Sequence, residues 1–359
     1  MSKRAAIVLS GGKAERFQSE TQMWQDKALM ELWGKPLLVH AIESVQNYVD
    51  ETIVVVNDQN RLEQYAEVLV NHGVTNAQLV IDVTTNHLGG PLVAIYTGLK
   101  SAKSDHCLTL PSDMPLLQPQ VIEHMFNRAK NSRVVVPMWP NGRLETLVMV
   151  LQRRSTLKIA ETLYSLKRPR SDDIIRGALK VLFLSIVGEI QKVDPEIKSF
   201  VNINAPGDLT TLKPRRAQGD LTTSAQLDLG DLPILELHRL RDAAASTNAD
   251  HLSETSSTFA ATGASLERKK LFFWAAISFE NEGKTLKRWI QHQTETQRAA
   301  TQVVEAQKAF LKAARNYELE ADMHEKNHYP FLAERARSDK QWCVSRAKEL
   351  TIRQANYGR

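Results

Sequence analysis

Two adjacent glycines near the N-terminus are the first residues whose types could do chemistry. An apolar run that ends at Leu9 leads directly into Ser10, Gly11 and Gly12. Glycines after a strand let the backbone come close to a ligand and turn N–H groups toward an anion. Three cationic side chains follow, Lys13, Arg16 and Lys27. Such cations neutralise the charge that grows on a triphosphate as a bond to phosphorus breaks, so the stretch is interpreted as a phosphoryl-handling loop, with a plain tight turn as the alternative.

A second chemical feature is an aspartate between two prolines. Asp113 follows an apolar run and stands in the segment Pro111-Ser112-Asp113-Met114-Pro115. A carboxylate in this position can hold Mg²⁺, which takes its remaining ligands from water and phosphates. The alternative is an aspartate that caps the next helix or turn.

A carboxylate that could read a nucleobase follows the apolar residues 79–81. Asp82 could accept the paired N1–H and N2–H donors of guanine, a pattern that adenine lacks. A glycine turn, Gly89-Gly90-Pro91-Leu92, comes soon after it. Without further context, a turn aspartate is an equally good interpretation of Asp82.

Alternating strand and helix patterns must position these residues. Runs of β-branched and apolar residues predict strands at 5–9, 53–56, 79–81, 106–110, 134–137 and 147–151. Apolar residues at helical spacing predict helices at 36–48, 61–72 and 91–103. The alternation predicts an α/β, Rossmann-like fold, a mostly parallel sheet with helices on both faces. Ligands of such sheets bind beyond the carboxyl ends of the strands, where Gly11, Gly12, Asn57, Asp82 and Asp113 all fall.

The character of the sequence changes after residue 212. Residues 213–231 are rich in polar and small residues and are predicted to be a linker between a domain at 1–212 and a helical domain at 232–359. Apolar residues recur at steps of three and four from Lys284 to Met323, which predicts one long amphipathic helix. Residues 263–281 and 330–352 are predicted to be partner helices in an all-α bundle. The role of this bundle is left open, with recruitment of a protein partner as one possibility.

Composition sets broad limits on the kind of protein. The chain has 359 residues, a net charge of +5, 42% hydrophobic and 24% charged residues, which is typical of a globular protein with room for two domains. The mild positive charge suits an anionic nucleotide but is too diffuse to predict nucleic-acid binding. Two cysteines predict neither a disulfide framework nor a thiolate zinc site. The sequence shows no signal peptide and no membrane span, so a cytoplasmic location is expected.

The motifs, taken in order, resemble those of the molybdenum cofactor guanylyltransferase family of nucleotidyltransferases. The resemblance covers residues 1 to about 212 and rests on Leu9-Ser10-Gly11-Gly12 with Arg16, on Asp26-Lys27-Ala28-Leu29, on Pro111 to Pro115, and on the segment from Asn202 to Leu209. The sequence departs from the family after Arg16, where Phe17 and Gln18 open a longer insert. Ser112 stands where the family has cysteine, and the family's His-Pro pair near residue 134 is missing.

The resemblance implies a nucleotide-diphospho-sugar transferase type of fold and a set of site residues. It implies nucleotide contacts from Leu9, Ser10, Gly11, Gly12, Lys27, Asn57, Asp82, Gly90, Pro91 and Asp113. It implies catalytic roles for Lys27, Arg16 and Asp113, and Mg²⁺ held by Asp113 with Asn204. Candidate ligands of the acceptor are Asn202, Arg143, Arg168 and Arg170. The alternative for the two asparagines is hydrogen bonding to local backbone, and for the arginines a solvated basic loop.

The function that the resemblance implies is the transfer of GMP from GTP to the phosphate of molybdopterin. Pyrophosphate would leave, and the product would be the guanine dinucleotide form of the cofactor. One alternative is a related nucleotidyltransferase that uses a sugar phosphate or another cofactor phosphate. Another is a nucleotide-binding module without activity that recruits a partner through its C-terminal bundle. A bifunctional protein with a further activity in the bundle is a third, for which no residue argues.

Overall fold

The computed structural model describes residues 2–11, 26–83, 88–204, 207–212, 218–246, 251–292 and 296–357. The chain divides into two compact units. The first comprises Met1–Ala160 and Lys167–Gly230, and the second comprises Glu161–Leu166 and Asp231–Arg359.

The first unit alternates strands and helices along the chain. Its strands are β1 Arg4–Leu9, β2 Glu31–Leu32, β3 Lys35–Pro36, β4 Glu51–Val56, β5 Ala77–Ile81, β6 His106–Pro111, β7 Val134–Met138, β8 Met149–Gln152, β9 Lys180–Ser185 and β10 Ala225–Asp228. The helices that begin in it are α1 Leu37–Val45, α2 Gln59–Asn71, α3 Pro91–Ser101, α4 Pro119–Arg128, α5 Arg153–Ser165, α6 Asp172–Gly177 and α7 Asp208–Thr211.

Eight strands form one mixed, mostly parallel sheet in the order β10-β9-β7-β8-β6-β1-β4-β5. Strands β6, β1, β4 and β5 are parallel to one another, whereas β8 and β10 run antiparallel to their neighbours. Residues 5–9 of β1 are at most 8% exposed, as expected for a parallel strand covered on both faces. The predicted α/β class and mostly parallel sheet are therefore confirmed.

The segment before α7 does not form the strand end that its residue pattern predicts. Alternating apolar and amide residues predict a strand end at Phe200–Asn204, but residues 201–204 belong to no strand. Val201 and Ile203 are buried while Asn202 and Asn204 are half-buried, so the alternation correctly separates the two sides of the segment. The segment lies beside the loop after β6, where the Ile203 N–H donates to the Asp113 carbonyl (3.0 Å), instead of extending the sheet.

Part of the stretch predicted as a linker forms the strand β10. It pairs antiparallel with β9, from Ala225 opposite Phe183 to Asp228 opposite Lys180. Leu227 is buried at 7% exposure. A four-residue strand with one buried apolar side chain is too short to stand out from a polar tract, which is why composition alone predicts a linker.

The second unit carries helices α8 Ile234–Ala245, α9 Leu252–Arg268, α10 Phe272–His292, α11 Thr296–Lys326 and α12 Pro330–Tyr357.

Two predicted helices are wrong. The helix predicted at 263–281 is divided after Arg268, where Lys270 has a left-handed backbone (φ 58°) and the Leu271 N–H donates to the Leu266 carbonyl (3.0 Å). These features end a helix even without glycine.

The single helix predicted from Lys284 to Met323 is likewise two helices, α10 and α11. They pack against each other, since the Tyr317 hydroxyl donates to Glu280 (2.6 Å) and Gly283 accommodates the Phe310 ring. Each helix needs an apolar face for this contact. Apolar residues therefore recur at helical spacing through both helices, and the pattern does not show where the chain reverses. Within the described ranges, no helix is long and apolar enough to cross a membrane.

Candidate active site

Backbone hydrogen bonds continue past the carboxyl ends of the central strands and align the predicted residues along one edge of the sheet. The Ser112 N–H donates to the Leu9 carbonyl (3.1 Å), and the Ser10 N–H donates to the Val55 carbonyl (3.1 Å). The Asp82 N–H donates to the Val56 carbonyl (2.7 Å). The residues that follow β6, β1, β4 and β5 therefore lie side by side, as ligand sites of parallel sheets require.

Lys27, Asp113 and Asn204 meet at this edge. The Lys27 ammonium lies 2.6 Å from the Asp113 carboxylate and 3.2 Å from the Asn204 side-chain oxygen. The Lys27 and Asp113 side chains are 18% and 24% exposed, so the pair remains open to a ligand. Asn204 is held in place because its N–H donates to the Asp208 carboxylate (2.6 Å). Three segments far apart in the sequence thus build one cluster of a cation, a carboxylate and an amide oxygen.

Asp26 fixes the backbone that carries Lys27. Its carboxylate caps a short 3₁₀ helix, Lys27–Leu29, by accepting the Ala28 N–H (3.1 Å). The other carboxylate oxygen accepts from the Tyr65 hydroxyl and pairs with the Arg61 guanidinium, each at 3.0 Å. Sequence reasoning did not select Arg61 or Tyr65 as site residues. Their side chains stand on a helix with no motif, and an aromatic residue at helical spacing is usually core.

Asn57 lies across Gly11. Its amide nitrogen donates to the Gly11 carbonyl (2.6 Å), and a Cβ on Gly11 would lie 2.1 Å from the Asn57 side-chain oxygen. Glycine at this position therefore lets the end of β4 close onto the end of β1, and the approach of a ligand to the glycine pair stays a prediction.

Asp82 lies at the outer end of the same edge and is largely buried. The Thr97 hydroxyl lies 3.1 Å from the Asp82 carboxylate and accepts the Val83 N–H (3.0 Å). Burial raises the pKa of Asp82, and the hydrogen bonds from Thr97 and the Val83 backbone partly offset this increase. The carboxylate is thus oriented by α3, and its desolvation strengthens any hydrogen bond that it accepts.

Gly90 and Pro91 begin α3 against the loop before α6. Gly90 has φ 111°, and a Cβ there would lie 2.9 Å from the Pro169 carbonyl. That carbonyl accepts the Leu92 N–H (3.1 Å), so one N–H of the first helical turn is used within the protein. The nucleotide contacts of Gly90 and Pro91 stay a prediction.

The candidate acceptor residues occupy different environments. Arg168 is buried and its guanidinium pairs with Asp173 (2.8 Å), and Arg170 pairs with Asp172 (Nε to Oδ1, 3.0 Å). These ion pairs stabilise the loop that contacts α3. The Ser171 hydroxyl also lies 3.1 Å from the Thr146 hydroxyl, which joins this loop to the segment before β8.

The other two acceptor candidates are Arg143, which is exposed, and Asn202. The side-chain oxygen of Asn202 is buried without a hydrogen-bond partner in the described part of the chain. Gly12 and Arg16 lie outside the described residues, as does Lys13. Across the residues that are described, no group of three His, Cys, Asp or Glu side chains could hold a metal ion. Roles in the reaction stay predictions for all of these residues.

Comparison with known proteins gives the family. The family model of the MobA-like NTP transferase domain matches residues 6–180. The chain is 30% identical over 212 residues to a probable molybdenum cofactor guanylyltransferase of Pyrococcus horikoshii, covering 58% of this chain and 97% of that protein. It is 29% identical over 210 residues to a protein of the same name from Methanosarcina acetivorans, covering 58% of this chain and 89% of that protein.

A solved structure is also similar to part of this chain. The crystal structure of molybdopterin-guanine dinucleotide biosynthesis protein A from Archaeoglobus fulgidus aligns with a TM-score of 0.46 and 23% identity, over 58% of this chain and 96% of that chain. The family assignment rests on the sequence matches, which extend over nearly the full length of the Pyrococcus protein. The chain therefore belongs to the MobA-like NTP transferase family and is a nucleotidyltransferase.

Proposed function

We propose that this protein transfers GMP from GTP to the phosphate of molybdopterin, releases pyrophosphate and forms the guanine dinucleotide cofactor. The observation that supports the proposal most is the cluster in which the Lys27 ammonium donates hydrogen bonds to both Asp113 and Asn204. It stands at the sheet edge where parallel α/β proteins bind nucleotides. The names of the relatives in Pyrococcus and Methanosarcina supply the substrate class.

The chemistry of the cluster fits a magnesium ion. Asp113 offers a carboxylate oxygen and Asn204 an amide oxygen, and the two already share one cationic group, Lys27. Oxygen ligands of this kind suit Mg²⁺, which binds one or two protein groups and completes its shell with water and phosphate. Asp113 and Asn204 would hold the ion, and the ion would neutralise charge on the triphosphate.

The remaining chemistry belongs to the protein side chains. Lys27 holds a positive charge beside Asp113, where the charge of a leaving pyrophosphate can be stabilised. The attacking oxygen belongs to a phosphate that is already anionic, so the reaction needs orientation of two substrates and no covalent protein intermediate. Asp82, oriented by Thr97, would accept the two N–H donors of guanine and select GTP.

A matrix of nucleotides and acceptors tests this function. We expect pyrophosphate release with GTP and molybdopterin, and much less with CTP, with ATP or with a sugar phosphate as acceptor. Asp113→Asn is expected to lower the rate by on the order of a hundredfold or more, because it removes the charge that organises the cluster. Asp105→Asn is a matched control, since Asp105 is exposed and precedes the same strand at its opposite end.

Two results would change the proposal. Equal turnover with another acceptor would assign the protein to a different member of the nucleotidyltransferases. Tight nucleotide binding without pyrophosphate release from any pair would favour the nucleotide-binding module.

A further inference from the structure

The hydroxyl of one buried tyrosine joins segments that come from three parts of the first unit. Tyr65, on α2, is fully buried. Its hydroxyl donates to the Asp26 carboxylate at 3.0 Å, and it lies 3.0 Å from the Ser10 hydroxyl. Ser10 in turn lies 3.2 Å from the Ser112 hydroxyl. These contacts form one continuous chain of hydrogen bonds, which runs from Asp26 through Tyr65 and Ser10 to Ser112.

Each of the three other members of this chain of hydrogen bonds directly precedes a residue of the candidate site. Ser10 precedes Gly11, Asp26 precedes Lys27, and Ser112 precedes Asp113. The hydrogen bonds span 39 positions from Tyr65 to Asp26, 55 from Tyr65 to Ser10 and 102 from Ser10 to Ser112. The network therefore fixes the relative positions of backbone segments that local structure cannot hold together.

The surroundings of Tyr65 keep its hydroxyl protonated, so that it remains a hydrogen-bond donor in this network. The Asp26 side chain is 6% exposed and pairs with Arg61, whose side chain is 8% exposed. Arg61 and Tyr65 stand four residues apart on α2, so both face the same carboxylate. Burial, together with the nearby Asp26 charge, raises the pKa of Tyr65. The hydroxyl stays protonated at neutral pH and always has a proton to donate to Asp26.

We propose that Tyr65 is a positioning residue for nucleotidyl transfer, whose hydroxyl aligns Lys27 with Asp113 through Asp26, Ser10 and Ser112. This assignment rests on the proposed transfer of GMP from GTP to molybdopterin. Tyr65 does not contact the reacting atoms in this assignment. Its effect passes through the placement of the Lys27 ammonium, and small displacements of such a group lower reaction rates strongly.

Kinetics with the full chain test the proposal. Tyr65→Phe keeps the ring in the core and removes only the hydroxyl. We expect kcat to fall about 10- to 100-fold, with the KM for GTP nearly unchanged, because correct placement of Lys27 matters mainly in the transition state. In a Lys27→Ala background the same substitution should cost much less, since coupled residues are not additive. Tyr48→Phe, at the edge of the same core, is the matched control and should leave kcat unchanged.

A second measurement needs no turnover. Acetylation of lysines by a water-soluble reagent, read by mass spectrometry, reports how firmly Lys27 is held. We expect Tyr65→Phe to speed acetylation of Lys27 several-fold relative to Lys35, whose pair with Glu43 (2.7 Å) lies outside the network. Unchanged acetylation of Lys27 would overturn the proposal, even if the wild-type protein proved inactive toward molybdopterin. An unchanged kcat in an active protein would overturn it as well.

Discussion

Lys27 is part of the fold and, in the proposed function, part of the reaction as well. It is paired with Asp113 at 2.6 Å in a partly exposed position. Ion pairs at the protein surface typically contribute about 0–1 kcal/mol to stability. A group placed to stabilise developing charge, by contrast, contributes several kcal/mol to the rate. Loss of Lys27 should therefore be felt in catalysis far more than in folding.

Lys27→Ala is expected to lower kcat by about 10²- to 10³-fold with a small change in the melting temperature. Lys35→Ala provides the comparison, because it removes a lysine from another short ion pair, that with Glu43. Steady-state pyrophosphate release and thermal unfolding measure the two effects. A loss of only a few fold for Lys27→Ala would mean that its ammonium does not reach the phosphates.

Asp82, unlike Lys27, is expected to lower the stability of the folded protein when it is ionised. Because burial raises its pKa, the folded protein binds this proton more tightly than the unfolded chain does. The ionised carboxylate therefore costs stability as pH rises above its ordinary pKa of about 3.9, and the cost is complete above the folded pKa. Asp82→Asn removes that cost and can still accept from Thr97.

We expect Asp82→Asn to raise the melting temperature near neutral pH and to lose this advantage at about pH 3, where the wild-type carboxylate is protonated. The same variant is expected to lose its preference for GTP over ATP. Thermal unfolding across pH and nucleotide competition measure these effects, with Asp105→Asn as the control. A lower melting temperature for Asp82→Asn at neutral pH would contradict the interpretation that ionisation of this buried carboxylate costs stability.

At the level of elements, β10 decides where the first unit ends. Beyond its pairing with β9, the Leu229 N–H donates to the Leu179 carbonyl (2.7 Å). The segment before β10 is also packed closely, since a Cβ on Gly219 would lie 2.3 Å from the Pro140 carbonyl. Without this segment, β9 would be an exposed edge strand, which invites pairing with other chains.

Two truncations test the role of β10. A chain that ends at residue 230 is expected to unfold cooperatively, whereas one that ends at 212 should melt at a lower temperature and aggregate. The reason is the exposed edge of β9 and the loss of the buried Leu227 side chain. Calorimetry and light scattering distinguish the two. Equal behaviour of both chains would mean that β10 adds nothing to the stability of the unit.

At the level of the whole molecule, the two units differ in the kind of contact that builds them. The first unit depends on strand pairing between distant segments, and it contains every described residue of the candidate site. The second is made of helices that pack on one another. The recruitment of a protein partner by these helices stays a prediction.

Removal of residues 231–359 is expected to leave GTP affinity within a few fold of the full chain, because the described nucleotide candidates all lie in the first unit. Calorimetric titration with GTP and Mg²⁺ measures this, and the full chain is the control. Loss of binding in a truncated chain that still melts cooperatively would show that the helical unit contributes to the nucleotide site.

The sequence by itself determined the class of fold and the main cluster of the site. Strand and helix periods are local properties, so they placed β1, β4, β5 and β6 within a few residues of their observed bounds. Lys27, Asp113 and Asn204 could be selected because the motifs in which they stand resemble, in the same order, those of the guanylyltransferase family. The parallel arrangement of the sheet predicted that Gly11, Asn57, Asp82 and Asp113 share one edge, whereas the contacts of Lys27 with Asp113 and Asn204 come from the structure.

Only the tertiary structure decided the contacts between distant segments, which hydrophobic periodicity does not predict. The reversal between α10 and α11, the pairing of β10 with β9, and the joining of Tyr65 to Ser10 and Asp26 all depend on which distant segments become neighbours. A tyrosine that positions a site and a tyrosine that only fills the core look alike in a helical pattern. What distinguishes Tyr65 is the carboxylate that the fold brings to its hydroxyl, because a hydrogen bond across 39 positions is set by the path of the whole chain.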